Sequence, residues 1–223
     1  MLSVTNICKS YKKRAILKGV SFEAGPGECV GIAGGNGCGK TTLLSILAGV
    51  RRADQGSIRF DGREAAGSPR VFEQFAAYVP QEAPLIPELS ARDNYRLWFK
   101  GDKRRMEEEL THGVGKALGL ADFLGASAGK LSGGQKERLC IASALSGRAP
   151  VLILDEPGAA LDLAAKEEIL RYVKAYMRQG GSVILTSHEK GELEICTRLF
   201  VLKDGRLEKV PAGIGTGELI RLF

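Results

Sequence analysis

Aromatic side chains are scarce in this chain of 223 residues: they make up 6% of it, with a single tryptophan, so the core has to be built from aliphatic groups. No apolar run approaches the roughly 18 to 20 residues that cross a bilayer, so work at a membrane would need another chain to do the spanning. Residues 1–14 lack an apolar stretch ahead of a small-residue cleavage site, which argues against a secretory signal. Cysteine is sparse and scattered. Cys8, Cys29, Cys38, Cys140 and Cys196 form no C-x-x-C pair and are odd in number, so neither a disulfide framework nor a zinc site is expected, and the compartment they suggest is the reducing cytoplasm. Repeats, low-complexity tracts and long linkers are absent, which excludes the collagen-like, coiled-coil and disordered classes.

What is present is an ordinary globular composition, 44% hydrophobic and 26% charged, in a length that suits one full α/β domain or a domain with a small appendage. The formal charge of +6 suits an anionic partner such as a nucleotide, a nucleic acid or a membrane surface. Lysine and arginine are spread along the chain, however, and most of them read as a solvated basic surface. Short β-like runs alternate with helical ones. Strands are expected over 2–11, 16–23, 28–33, 57–60, 75–79, 151–154 and 182–186, with a hairpin over 200–210 turning at Asp204-Gly205. The run Val151-Leu152-Ile153-Leu154 is apolar on both faces, as in the middle of a parallel sheet. Between about residues 82 and 150 the strand signal gives way to helical patterns over 102–118 and 132–146, with a start signal at Ser90-x-x-Asp93. A further helix is expected over 163–179, and residues 211–223 read as too short for a regulatory domain.

Gly34-Gly35-Asn36-Gly37-Cys38-Gly39-Lys40-Thr41 fits the G-x-x-x-x-G-K-[ST] pattern and lies between an expected strand and an expected helix. The glycines allow a loop whose N–H groups converge on phosphate oxygens; the helix start, carrying on into Thr42, adds the positive end of its dipole. Lys40 supplies a point charge for the β- and γ-phosphates, and Thr41 a hydroxyl for Mg²⁺. Cys38, inside this loop, reads as a filler of a small-residue position. At the end of the 151–154 strand stand Asp155 and Glu156, then Pro157, which cannot continue a ladder. Carboxylates at a strand's C-terminal edge face the ligand crevice of an open α/β sheet, and adjacent positions alternate in direction. Asp155 would then hold Mg²⁺ and Glu156 would polarise the attacking water. Ser132 and Gln135 fit a capping box at a helix start. Two glycines are a costly way to open a helix, so Gly133 and Gly134 suggest close backbone approach to an anion.

The pentapeptide Leu131-Ser132-Gly133-Gly134-Gln135, lying between the phosphate loop and the Leu152–Pro157 segment, resembles the signature of ATP-binding cassette (ABC) ATPases. The resemblance covers essentially the whole chain, with the motifs in family order. It implies an α/β fold: a P-loop NTPase core of parallel sheet and flanking helices (1–81 and 151–223), an antiparallel β subdomain and an inserted α-helical subdomain (82–150). It also implies that Gln81 contacts Mg²⁺ or the attacking water, that Asp162 is the D-loop aspartate and belongs with the nucleotide-binding residues, that His188 touches the γ-phosphate and that Tyr11 stacks on adenine. In this family two cassettes pair head to tail, so Ser132, Gly133, Gly134 and Gln135 would serve the other chain's ATP. The implied protein is the ATPase subunit of a transporter, lying on the inner face of the cell membrane against separately encoded permease chains, with an export-type pattern over 156–206. A second ATPase chain, most simply a copy of itself, is the implied partner, and no nucleic acid is expected. Residues 82–87 with Tyr95, Trp98 and Phe99 would form the groove that receives a permease helix, unless the aromatics pack the helical lobe. The rival class acts on ribosomes or nucleic acid; Lys40 and Ser132 stand too close in the chain for the long coiled coil of its chromosome-maintenance members, and an iron–sulfur assembly ATPase would carry insertions absent here. Two departures from the pattern stand out: Gly158-Ala159-Ala160 lacks the usual Thr or Ser, and Ser143 replaces the usual Arg.

Overall fold

The computed structural model describes residues 1–99, 101–159 and 161–211. Ala160 and most of the 211–223 tail, on which the sequence raised expectations, lie outside the described residues. The chain opens with a long antiparallel hairpin, β1 (Leu2–Tyr11) and β2 (Arg14–Ala24), reversing at Lys12, whose φ is 54°. Next come β3 (Cys29–Ala33), α1 (Lys40–Leu47), β4 (Gln55–Phe60), β5 (Arg63–Glu64), α2 (Pro69–Phe75) and β6 (Ala76–Val79). The helical stretch holds α3 (Ala91–Trp98), α4 (Lys103–Thr111), α5 (Val114–Ala117) and α6 (Gly133–Leu145). The chain returns to the sheet with β7 (Val151–Asp155), α7 (Leu163–Arg178), β8 (Ser182–Thr186), α8 (Lys190–Glu194), β9 (Arg198–Lys203) and β10 (Arg206–Lys209).

Two sheets result. One is antiparallel with order β2-β1-β4-β5; the other has order β10-β9-β3-β8-β7-β6, parallel except for the β9–β10 hairpin. Burial on both faces explains the unbroken apolar runs. Val151 and Ile153 point into a core shared with the antiparallel sheet and α1, while Leu152 and Leu154 point into the core under the helices. The expected helix over 102–118 is broken into α4 and α5 at Gly113, where a Cβ would lie 2.1 Å from Glu109 Oε2. The helix ends obey their sequence: Ser90, Asp102, Ser132 and Asp162 each accept a hydrogen bond from the backbone N–H three residues on. At α6 the full capping box forms, Ser132 and Gln135 each binding the other's backbone.

Candidate functional site

β3 delivers the chain into the glycine-rich loop, and α1 leaves it. Gly34 has φ 152°, and a Cβ there would lie 2.6 Å from the Leu202 carbonyl, so only glycine passes beneath β9. A Cβ on Gly39, φ 114°, would strike Ile16 at 2.7 Å. The loop floors a cleft of about 430 Å³ lined by Tyr11, Asn36, Lys40, Thr41, Gln81 and Glu156, and also by Gly37, Gly39, Thr42 and Ile16. Lys40 is buried, its Nζ donating to the Gly34 carbonyl at 2.8 Å. The same ammonium lies 3.0 Å from His188 Nε2 and 3.5 Å from Glu156 Oε1. Cys38 is half-buried and packs with the cluster beneath the antiparallel sheet, as a filler would.

The two acids differ in setting. Asp155 ends β7 opposite Thr186, is 1% exposed and accepts from the Thr186 hydroxyl at Oδ1, 2.7 Å. Its Oδ2 is buried without a hydrogen-bond partner. A buried carboxylate oxygen left unsatisfied is suited to a hard cation, so the donor chemistry of Asp155 fits Mg²⁺. Burial, with the Asp155 carboxylate adding to it, pushes the Tyr78 phenol above its ordinary value. Glu156 lies past the end of β7 in the left-handed region, φ 52°. Its direction is therefore set by a turn and not, as alternation along a strand would have it, by the pleat. Its backbone N–H donates to Thr186, and its carboxylate accepts from Gln81 Nε2 at 3.2 Å. Gln81, Glu156, His188 and Lys40 thus converge.

Tyr11 borders the same cleft; Arg51 Nη1 donates to its hydroxyl at 3.0 Å and the Arg51 guanidinium lies 5.9 Å from its ring centre. The Leu131–Gln135 segment is elsewhere: Ser132 and Gly133 are exposed and do not line the cleft. Gly134 has a packing reason for being glycine, since a Cβ would come within 2.5 Å of Ala165 Cβ on α7. Asp162 caps α7 beside the exposed Leu163. Of the three aromatics on or beside α3, Tyr95 is fully buried in the helical core and Phe99 packs against it, whereas Trp98 is 52% exposed. Trp98 borders a surface groove of about 340 Å³ with Ala48, Val50, Phe72, Glu73 and Tyr78. Sequence reasoning passed over Thr186 and Ile16; a threonine closing the apolar run 182–186 was the available signal for the first.

A family model described as ABC transporter matches residues 17–159. The linearmycin resistance ATP-binding protein LnrL of Bacillus subtilis (strain 168) is 35% identical, the match covering 100% of this chain and 72% of that protein. The taurine import ATP-binding protein TauB of Chromobacterium violaceum is 41% identical over 85% of this chain and 72% of its own. Among solved structures, the ATP-binding cassette MJ0796 in a dimeric post-hydrolysis state bound to ADP and Pi superposes with a TM-score of 0.82 at 26% identity, covering 95% of this chain and 100% of that one.

Proposed function

This chain belongs to the ABC transporter family as an ATP-hydrolysing, nucleotide-binding cassette, and from that premise we propose that two copies close head to tail around two ATP molecules. The observation that carries this reading is the position of Ser132 and Gly133, exposed and outside the cleft that Lys40 and Glu156 line. A capped helix start that is exposed and outside its own nucleotide cleft is suited to the phosphates held by another chain. The loop 34–41 with Thr42 would cradle the phosphates, Tyr11 would stack on the base, and Lys40 would exchange the Gly34 carbonyl for phosphate oxygen. Thr41, Gln81 and Asp155 would hold Mg²⁺, which when bound neutralises phosphate charge. Glu156 would take the proton of the attacking water, with Gln81 and His188 orienting water and γ-phosphate. Ser132, the backbone of Gly133 and Gly134, Gln135 and Asp162 would face the partner. Loss of the γ-phosphate removes what bridges the chains, so hydrolysis opens the pair.

Mixing two inactive variants tests this arrangement. Lys40→Met disables the phosphate loop; Ser132→Asp keeps a good cap but sets a carboxylate against the partner's phosphates. A mixed pair contains one intact composite site. Combining the variants should restore activity, up to about a quarter of wild type for random pairing with independent sites. If each chain worked alone, the mixture would stay as inactive as its parts.

The core (1–81, 151–223) would carry the nucleotide and the 82–150 unit the contacts to neighbouring chains. No helix among the described residues is long and apolar enough to cross a membrane. The exposed Trp98 groove suits a helix of a permease chain, which would hold the protein at the inner membrane face. We assign it an export role, in keeping with the pattern over 156–206. Purification from native membranes should recover integral membrane chains, and inside-out vesicles of that membrane should accumulate cargo with ATP. Recovery with ribosomes or DNA and no membrane protein would favour the rival class.

A further inference from the structure

Two of the five cysteines meet in the fold, although 167 positions separate them in the chain. Cys29 opens β3 and is fully buried; Cys196 lies between α8 and β9 and is half-buried. Both are free thiols. Cys29 Sγ donates to Cys196 Sγ at 3.7 Å, and Cys196 Sγ to the Glu192 carbonyl at 3.4 Å. The backbones are already tied at this level. Thr197 N donates to the Cys29 carbonyl at 2.8 Å, the Cys29 N–H donates to the Thr197 hydroxyl at 3.1 Å, and that hydroxyl donates to the Cys29 carbonyl at 2.9 Å. Gly31 leaves the room in which the Cys196 thiol sits, since a Cβ there would come within 2.6 Å of its sulfur.

A disulfide bond is about 2.05 Å long, so from 3.7 Å the two sulfurs have about 1.7 Å left to travel. That distance is within reach of rotation about the two Cα–Cβ bonds, with the backbones staying where Thr197 holds them. The sulfurs differ in access. The hydrogen bond to Cys196 first, and burial second, push the Cys29 thiol well above its ordinary value, so Cys29 keeps its proton inside the core. Cys196 stands next to the exposed Thr197 and is the sulfur that a small oxidant meets first. The other three thiols are placed apart from this pair: Cys8 donates to the Asn6 carbonyl, Cys38 packs beneath the antiparallel sheet and Cys140 is buried on α6.

We infer that Cys29 and Cys196 are a redox modification site, a dithiol that a hydroperoxide closes into a disulfide joining the start of β3 to the segment between α8 and β9. The Cys196 sulfur attacks the terminal peroxide oxygen: an S–O bond forms, the O–O bond breaks, and the thiol proton leaves on the released water or alcohol, giving a sulfenic acid. The Cys29 sulfur then attacks the Cys196 sulfur. An S–S bond forms, the S–O bond breaks, and the hydroxyl leaves as water with the Cys29 proton. Across the two steps the sulfurs give up two electrons and one peroxide is reduced. The closed bridge makes a loop of residues 29–196, which contains the phosphate loop, the Ser132–Gln135 segment and the Asp155-Glu156 pair. Constraining so long a loop acts chiefly on the unfolded chain, so the bridged protein is the more stable form, and a thiol reductant returns it to the dithiol.

The test treats the reduced, folded full-length protein with hydrogen peroxide, then denatures and alkylates it. The oxidised protein should take up two fewer alkyl groups than the reduced one, and a digest kept free of reductant should yield a peptide pair joined through Cys29 and Cys196. Its thermal midpoint should rise by about 5 °C, and dithiothreitol should reverse all three changes. Cys29→Ala should leave Cys196 as a sulfenic acid that dimedone labels, and Cys196→Ala should leave Cys29 a thiol; neither variant should gain in midpoint. Because the two variants report separately, a poorly folding Cys29→Ala still leaves Cys196→Ala and the wild-type digest to decide. Wild type that keeps all five thiols, a sulfenic acid on Cys196 that persists with no joined peptide, a bridge to another cysteine or between two chains, or an oxidised midpoint at or below the reduced one overturns the site.

Discussion

Glu156→Gln should bind ATP as wild type does, hydrolyse it at least about 10²-fold more slowly, and accumulate as a closed pair of chains. The carboxylate sits among Lys40 Nζ at 3.5 Å, His188 Nε2 at 3.5 Å and Gln81 Nε2 at 3.2 Å, at the end of the cleft where a terminal phosphate would lie. An amide of the same shape keeps the packing of the turn but cannot accept a proton from water. Binding and closure need no proton transfer, so they survive while chemistry stops. Light scattering with and without ATP reports the pair, and phosphate release reports turnover. Release within about twofold of wild type would remove Glu156 as the base.

Lys40→Met should cost about 10²-fold in ATP affinity while leaving the nucleotide-free protein nearly as stable as before. Lys40 is the buried cation of the cleft, and charge-assisted bonds to phosphate in a water-poor loop are among the strongest available. Without nucleotide, its ammonium is held by a carbonyl at 2.8 Å and a ring nitrogen at 3.0 Å, and methionine fills much of the same stem volume. The readout is the rise in thermal midpoint on adding ATP, which follows ligand concentration over Kd. A variant that still gained the wild-type rise would show that the phosphates are held without this amine.

The site residues were legible where chemistry is local in the chain. The glycine-rich loop, Asp155-Glu156 and the Ser132–Gln135 cap each need particular side chains at fixed short spacing, and Gln81 and His188, singled out by the family resemblance alone, lie against Glu156. The sheet was legible because Val151–Leu154 is apolar at every position. What escaped depends on contacts made far away. Helices α2 and α8, of 7 and 5 residues, are too short to display a helical period. Gly134 reads as a backbone approach to an anion, yet it is also the place where α6 meets Ala165. Glu137 and Glu192 drew no reading from the sequence, yet both are buried, at 8% and 4% exposure. The setting of Glu156 is of the same kind, since the strand stops one residue earlier than the pleat argument needs.

The contact at Gly134 has a mechanical corollary. With only the Ala165 methyl between them, α6 and α7 meet closely near their starts, and those starts carry two exposed edges, Ser132-Gly133 and Asp162-Leu163. The spacing of the two edges is therefore set at a contact that has no rotatable side chain to take up a shift.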